Sequence, residues 1–106
     1  MLNGILVKGR KSQIVKCYDT SGVLQFTLKS GKDRATALAH LEAAKVAAND
    51  MANWEFVDKG ADNKRYVLKD LSNKRLGATS RSFSLAEADA MKEEVFASIA
   101  AVDIAM

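Results

Sequence analysis

The chain has 106 residues, 48% of them hydrophobic and 27% charged, which is the balance of one soluble globular domain rather than of a disordered chain. No apolar run approaches the roughly 18 residues that a membrane-spanning helix needs, and Ile5-Leu6-Val7 is too short for the apolar region of a leader, so the expectation is a cytoplasmic protein without membrane contact. Cys17 is a lone cysteine and cannot build a disulfide scaffold, and a net charge of +3 names no partner by itself.

In chain order, Gly4-Ile5-Leu6-Val7-Lys8 is a short strand candidate, followed by the basic loop Gly9-Arg10-Lys11-Ser12. Gln13 to Tyr18 is rich in β-branched and aromatic residues, and in Val23 to Lys29 the apolar Leu24, Phe26 and Leu28 alternate with polar neighbours, the period of a half-buried strand. Between them, Asp19-Thr20-Ser21-Gly22 supplies turn residues. Asp33 can cap a helix from about Arg34 to Met51, with Leu38, Leu41, Ala44, Ala48 and Met51 along one side.

The plan then recurs. Trp54 to Asp58 alternates, Gly60-Ala61-Asp62-Asn63 is a turn, Arg65 to Asp70 is a second strand, Leu71-Ser72-Asn73 a second turn and Lys74 to Ser80 a third strand. Ser84 with Glu87 forms a capping box, and Phe83 can staple onto the first turn. Leu85, Ala88, Met91, Val95, Phe96, Ile99 and Val102 mark an apolar stripe at helical spacing. The reading is β-β-β-α twice, residues 1–52 and 53–106, within one α+β domain. Half a chain of this length is marginal alone, so the two units are expected to share one antiparallel sheet with both helices on one face.

Charge follows this division. Residues 1–34 hold seven basic and two acidic side chains and residues 53–82 hold seven and four, whereas 35–52 hold one and two and 83–106 hold one and five. Strands and turns are basic and helices acidic, so the open sheet face should be positive.

Arg65-Tyr66-Val67-Leu68-Lys69-Asp70, then Asn73-Lys74, Leu76, Thr79-Ser80 and Phe83-Ser84, resemble the repeat of the YegP-like family, in which an aromatic-x-Leu-Lys strand precedes an Asn-Gly turn. Phe26-Thr27-Leu28-Lys29 echoes that strand in the first unit, and the resemblance covers most of residues 54–100 but only part of the first unit. Lys74 stands where the family turn usually has Gly, and the first unit runs from Lys29 through Gly31 almost directly into its helix. Either a strand has been lost after Leu28 or Ile5 to Val7 supplies it. The resemblance implies paired β-β-β-α units with helices exchanged between units or subunits, and no catalytic or binding residues. A second likeness, of Ser82-Phe83-Ser84-Leu85 and its acidic helix to Whirly and Pur-alpha-like single-strand binders, is opposed by three strands per unit where those proteins have four.

No chemical motif stands out. His40 sits mid-helix between Leu38 and Leu41 without a second titratable group at a telling spacing, and Cys17 lies in an apolar strand, where it is expected to act as a small hydrophobe. One Cys and one His cannot close a zinc site, Asp58, Asp62 and Asp70 do not match a calcium loop, and phosphate-loop and dinucleotide motifs are missing, so neither enzyme, metal nor cofactor is expected. The basic pairs Arg10-Lys11, Lys64-Arg65 and Lys74-Arg75, with Tyr66 as a stacking ring, are the candidate nucleic-acid contacts; their plain alternative is solubility and protection of sheet edges. A free sheet edge could take a protein strand, and the apolar tail Ile99 to Met106 could anchor a homodimer, fold back on its own core or fray. The expected function is a non-enzymatic interaction module, with a single-stranded nucleic-acid binder as the alternative.

Overall fold

The computed structural model describes residues 2–70, 72–102 and 104. Along the chain lie β1 (Asn3–Lys8), β2 (Gln13–Tyr18), β3 (Leu24–Leu28) and α1 (Arg34–Ala47), then β4 (Trp54–Asp58), β5 (Lys64–Lys69), β6 (Arg75–Thr79) and α2 (Leu85–Ser98). The strands form one antiparallel sheet in the order β1-β2-β3-β6-β5-β4, so the two halves meet where β3 pairs with β6. Asn3–Lys8 is therefore a full edge strand, the counterpart of β4 at the other edge, and nothing is lost after Leu28.

The two halves follow the same local instructions. Before β3, the Asp19 carboxylate accepts the amides of Ser21 and Val23; before β6, the Asp70 carboxylate accepts those of Ser72 and Lys74. Each turn closes through a residue at positive φ, Gly22 at 82° and Asn73 at 64°, the two residue types for which that conformation costs least. Each hairpin then carries a bulge, leaving Gln25 and Leu76 without a directly opposed partner, and both of these residues are buried.

Both helices cover one face of the sheet, and each reaches across the midline: α1 lies over β2, β3, β6 and β5, α2 over β5, β3 and β6. Phe26, Leu28, Trp54 and Leu68 from the sheet meet Leu41 and Ala44 of α1 and Val95 of α2 in the core. The Phe26 and Trp54 rings are edge-on with centroids 5.8 Å apart, and Trp54 Nε1 donates to the Ala48 carbonyl at 3.2 Å. Gly77 makes room for this packing, since a Cβ there would lie 2.7 Å from Phe26 Cζ.

Three local expectations are corrected. α1 stops at Ala47 rather than Met51, because the Asp50 carboxylate accepts the Ala52 amide and starts a separate 3-10 turn over Met51–Asn53, leaving Met51 exposed. Ser84 caps α2 through the Glu87 amide at 3.2 Å, but Phe83 is 71% exposed and makes no staple. Of the α2 stripe, Ala88, Val95, Ile99 and Val102 are buried while Leu85 and Phe96 face out. Ile104 is half-buried against the same core, so this stretch of the tail folds back on its own sheet. Asp103, Ala105 and Met106, on which tail anchoring also rested, and Leu71 of the second turn lie outside the described residues. No helix among the described residues is long and apolar enough to cross a membrane.

Candidate functional site

The face of the sheet turned away from the helices is open. Directly opposed residues share a face, and the register places Ile5, Lys16, Thr27, Ala78, Val67 and Glu55 in one row across all six strands. The middle of that row, Thr27 and Ala78, is small, and the long cationic side chains of Lys29, Arg65, Lys74, Arg75 and Arg81 stand around it. Two grooves result. The first, about 480 Å³, is lined by Ile14, Thr27, Lys29, Ser30, Lys74 and Arg75 among others. The second, about 400 Å³, is lined by Leu24, Thr27, Arg65, Arg75, Ser80 and Arg81 among others. They share Thr27 and Arg75, and so form one trough along the β3–β6 junction.

The charges in the second groove, those of Arg65, Arg75 and Arg81, meet no carboxylate partner among the described residues. Arg65 Nε is buried without an acceptor among the described residues. Burial, and then the neighbouring guanidinium groups of Arg75 and Arg81, push the Arg65 pKa below its ordinary value. Glu55, the acid of the central row, is taken by Lys69 Nζ at 2.6 Å.

The residues singled out in the sequence divide between locations. Arg65, Lys74 and Arg75 line the trough. Arg10 and Lys11 are exposed in the β1–β2 turn at the sheet's edge and line neither groove. Lys64 is engaged by its own hairpin, with Nζ 3.2 Å from Asp58 Oδ1 and 2.8 Å from the Gly60 carbonyl. Tyr66 faces the helix layer: its ring lies 5.4 Å from Phe56 and 4.3 Å from Lys92 Nζ of α2. A hydrogen bond with Asp89, then burial and the charges of Asp89 and Glu93, push its phenol up to about 12. Tyr66 therefore shares no surface with Arg65, because successive strand residues point to opposite faces. Lys29 and Arg81, which line the grooves, sit just after β3 and β6, where the sequence reads as the approach to a helix.

Cys17 is fully buried, and burial pushes its thiol up to about 11 against a smaller opposing effect of Lys45, so it is protonated at neutral pH. His40 Nδ1 donates to the Lys29 carbonyl at 3.0 Å, a contact that ties α1 to the end of β3. Among the described residues no three His, Cys, Asp or Glu side chains come together as a metal site.

No family model matches the chain, and no curated protein matches it in sequence. Two solved structures are similar to it. A UPF0339 protein of Shewanella oneidensis superposes with a TM-score of 0.85 at 16% identity, over 95% of this chain and 86% of that one. YegP of E. coli, a protein of unknown function, superposes with a TM-score of 0.86 at 10% identity, over 97% of this chain and 90% of that one. Identities this low speak for the fold and not for an activity, and on that ground the chain has the YegP-like fold.

Proposed function

We propose that the protein is a non-enzymatic binding module that takes an anionic partner on the open face of its sheet. The observation that carries this reading is the trough over the β3–β6 junction, where Arg65, Arg75 and Arg81 stand without carboxylate partners among the described residues and Lys29 and Lys74 extend the same charge. A cationic groove over a low-dielectric floor concentrates field and favours a ligand that brings its own negative charge.

An extended chain of phosphates, as in single-stranded nucleic acid, fits the joined grooves through its backbone. Its bases would not stack on Phe26, Trp54 or Tyr66, which lie on the helix side of the sheet and leave Tyr18 of β2 as the strand ring on the open face. Such a module should bind with little base preference and a steep dependence on salt.

Fluorescence anisotropy with labelled oligothymidylate, in DNA and RNA form, tests this. Micromolar binding that persists at physiological salt is expected, and Arg75→Ala should flatten the slope of log affinity against log salt by about 0.7. Binding that vanishes by physiological salt, or a slope that Arg75→Ala leaves unchanged, would overturn the reading.

A further inference from the structure

We infer that Arg65, Arg75 and Arg81 form a receptor for one phosphate monoester group; this rests on the proposed anion-binding face and narrows it to a single site and ligand chemistry. All three side chains line the groove of about 400 Å³ whose floor includes Thr27, Ala78 and Ser80. Three like charges held together raise the energy of the empty protein, and the Arg65 pKa is lowered first by burial and then by the charges of Arg75 and Arg81. Nothing within the described chain offsets it: Glu55 is held by Lys69, and Arg65 Nε lacks an acceptor. A ligand must therefore supply both charge and acceptors.

The number of groups selects the ligand. Each guanidinium is a planar fork that grips two oxygens of one acceptor group, and three forks converging on a groove exceed what a carboxylate can accept. A phosphate monoester offers three free oxygens and close to two negative charges at neutral pH. A phosphodiester offers two free oxygens and one charge, so a terminal phosphate should bind here better than an internal one.

The related groove gives an internal control. Chain positions 51 residues earlier than Arg65, Arg75 and Arg81 are Ile14, Leu24 and Ser30. Ile14 and Ser30 line the first groove, which therefore has a matching backbone setting with one guanidinium group, that of the shared Arg75, in place of three. Only the second groove gathers all three guanidinium groups, and the first is left to whatever the phosphate is attached to.

The test is isothermal titration of the full chain with phenyl phosphate, inorganic phosphate and acetate at constant ionic strength, alongside oligothymidylate with and without a 5′-phosphate. Saturable binding of both phosphates, at least about tenfold tighter than acetate, is expected, and Arg75→Gln and Arg81→Gln should each weaken it about tenfold. Affinity should also fall as pH drops through about 6, where a phosphate monoester takes up its second proton. The 5′-phosphate should tighten oligothymidylate, and Arg81→Gln should abolish that gain. Acetate binding as well as phosphate, or arginine variants binding as the parent does, would overturn the receptor. If oligothymidylate binds with a steep salt slope while phenyl phosphate does not saturate, the receptor is wrong and the anion-binding face stands. If neither binds, both are wrong.

Discussion

The two halves of the molecule agree where the backbone must turn and differ where side chains meet a surface. β2 and β5, β3 and β6, and α1 and α2 each start 51 residues apart, and so do Asp19 and Asp70, Gly22 and Asn73, and the cap residues Asp33 and Ser84. The short bridge that joins each second strand to the approach of its helix also recurs, Gln13 with Gly31 and Lys64 with Ser82. Against this sameness stand Phe26 and Gly77, Leu24 and Arg75, Ile14 and Arg65, Ser30 and Arg81. Phe26 and Gly77 occupy matching positions across the midline, and the ring of one fills the space left by the other. The remaining differences all fall on the trough, where one half supplies arginine and the other supplies apolar or small residues. A fold of two like halves has thus become one unlike pair at its centre and one charged groove on its face.

The midline pair should be the most sensitive point. Phe26→Ala removes a fully buried ring that touches Trp54, and should cost about 3–5 kcal/mol in denaturant unfolding, as deletions of this size do. A cost within the range of surface substitutions would mean that the midline is not the centre of the core. Gly77→Ala brings a Cβ to 2.7 Å from both Phe26 Cζ and the Thr27 carbonyl and should cost about 1–3 kcal/mol. Combining it with Phe26→Leu should cost less than the sum of the two, because the smaller side chain relieves the clash. Strict additivity would show that the two positions do not share one space.

The turns should behave alike. Asp19→Ala and Asp70→Ala each remove a carboxylate that accepts two amides, and each should cost about 1–2 kcal/mol. Asp19 also accepts from Gln25 Nε2 at 3.1 Å, so its loss should be the larger of the two. Equal chemical midpoints for the parent and Asp70→Ala would contradict the role of the carboxylate in setting that hairpin.

The helix caps should differ in response to acid. Hydrogen bonds from Thr36 hold the Asp33 carboxyl below its ordinary pKa, so the unfolded chain binds the proton more readily. The stability gained from Asp33 is present above the unfolded pKa near 4 and is lost as pH falls through the lower folded value. Ser84 caps α2 without titrating. Asp33→Asn should therefore flatten part of the acid limb of a stability-versus-pH curve, while Ser84→Asp should add a new one. An unchanged limb in Asp33→Asn would remove the cap from the acid response.

Much of this fold was legible because short-range signals agreed. Alternation in β3 and β4, turn residues around Gly22 and Asn73, and the caps Asp33 and Ser84 all pointed to β-β-β-α in each half. The register between the halves was hidden by a coincidence of pattern. Phe26-Thr27-Leu28-Lys29 resembles Tyr66-Val67-Leu68-Lys69, yet the first lies in β3 and the second in β5, which are not matching strands. Matching the two motifs makes the first half look one strand short. The end of α1 was obscured by its alanines, which favour helix beyond the point where Asp50 begins another turn.

The candidate site was half legible for a geometric reason. Pairs of basic residues are conspicuous in a sequence, but a strand sends its members to opposite faces. Lys64-Arg65 therefore splits between a hairpin contact and the trough, and Tyr66 goes beneath α2. Arg81 is single in the sequence and joins Arg65 and Arg75 only once β5 and β6 are paired.

The most direct test of the anion-binding face is a map of backbone amide shifts in the nitrogen-15-labelled protein as oligothymidylate is added at physiological salt. Shifts should concentrate at Thr27, Ala78, Ser80 and Arg81, with the outward surfaces of α1 and α2 unmoved. Shifts confined to the helix layer, or none at saturating ligand, would contradict it.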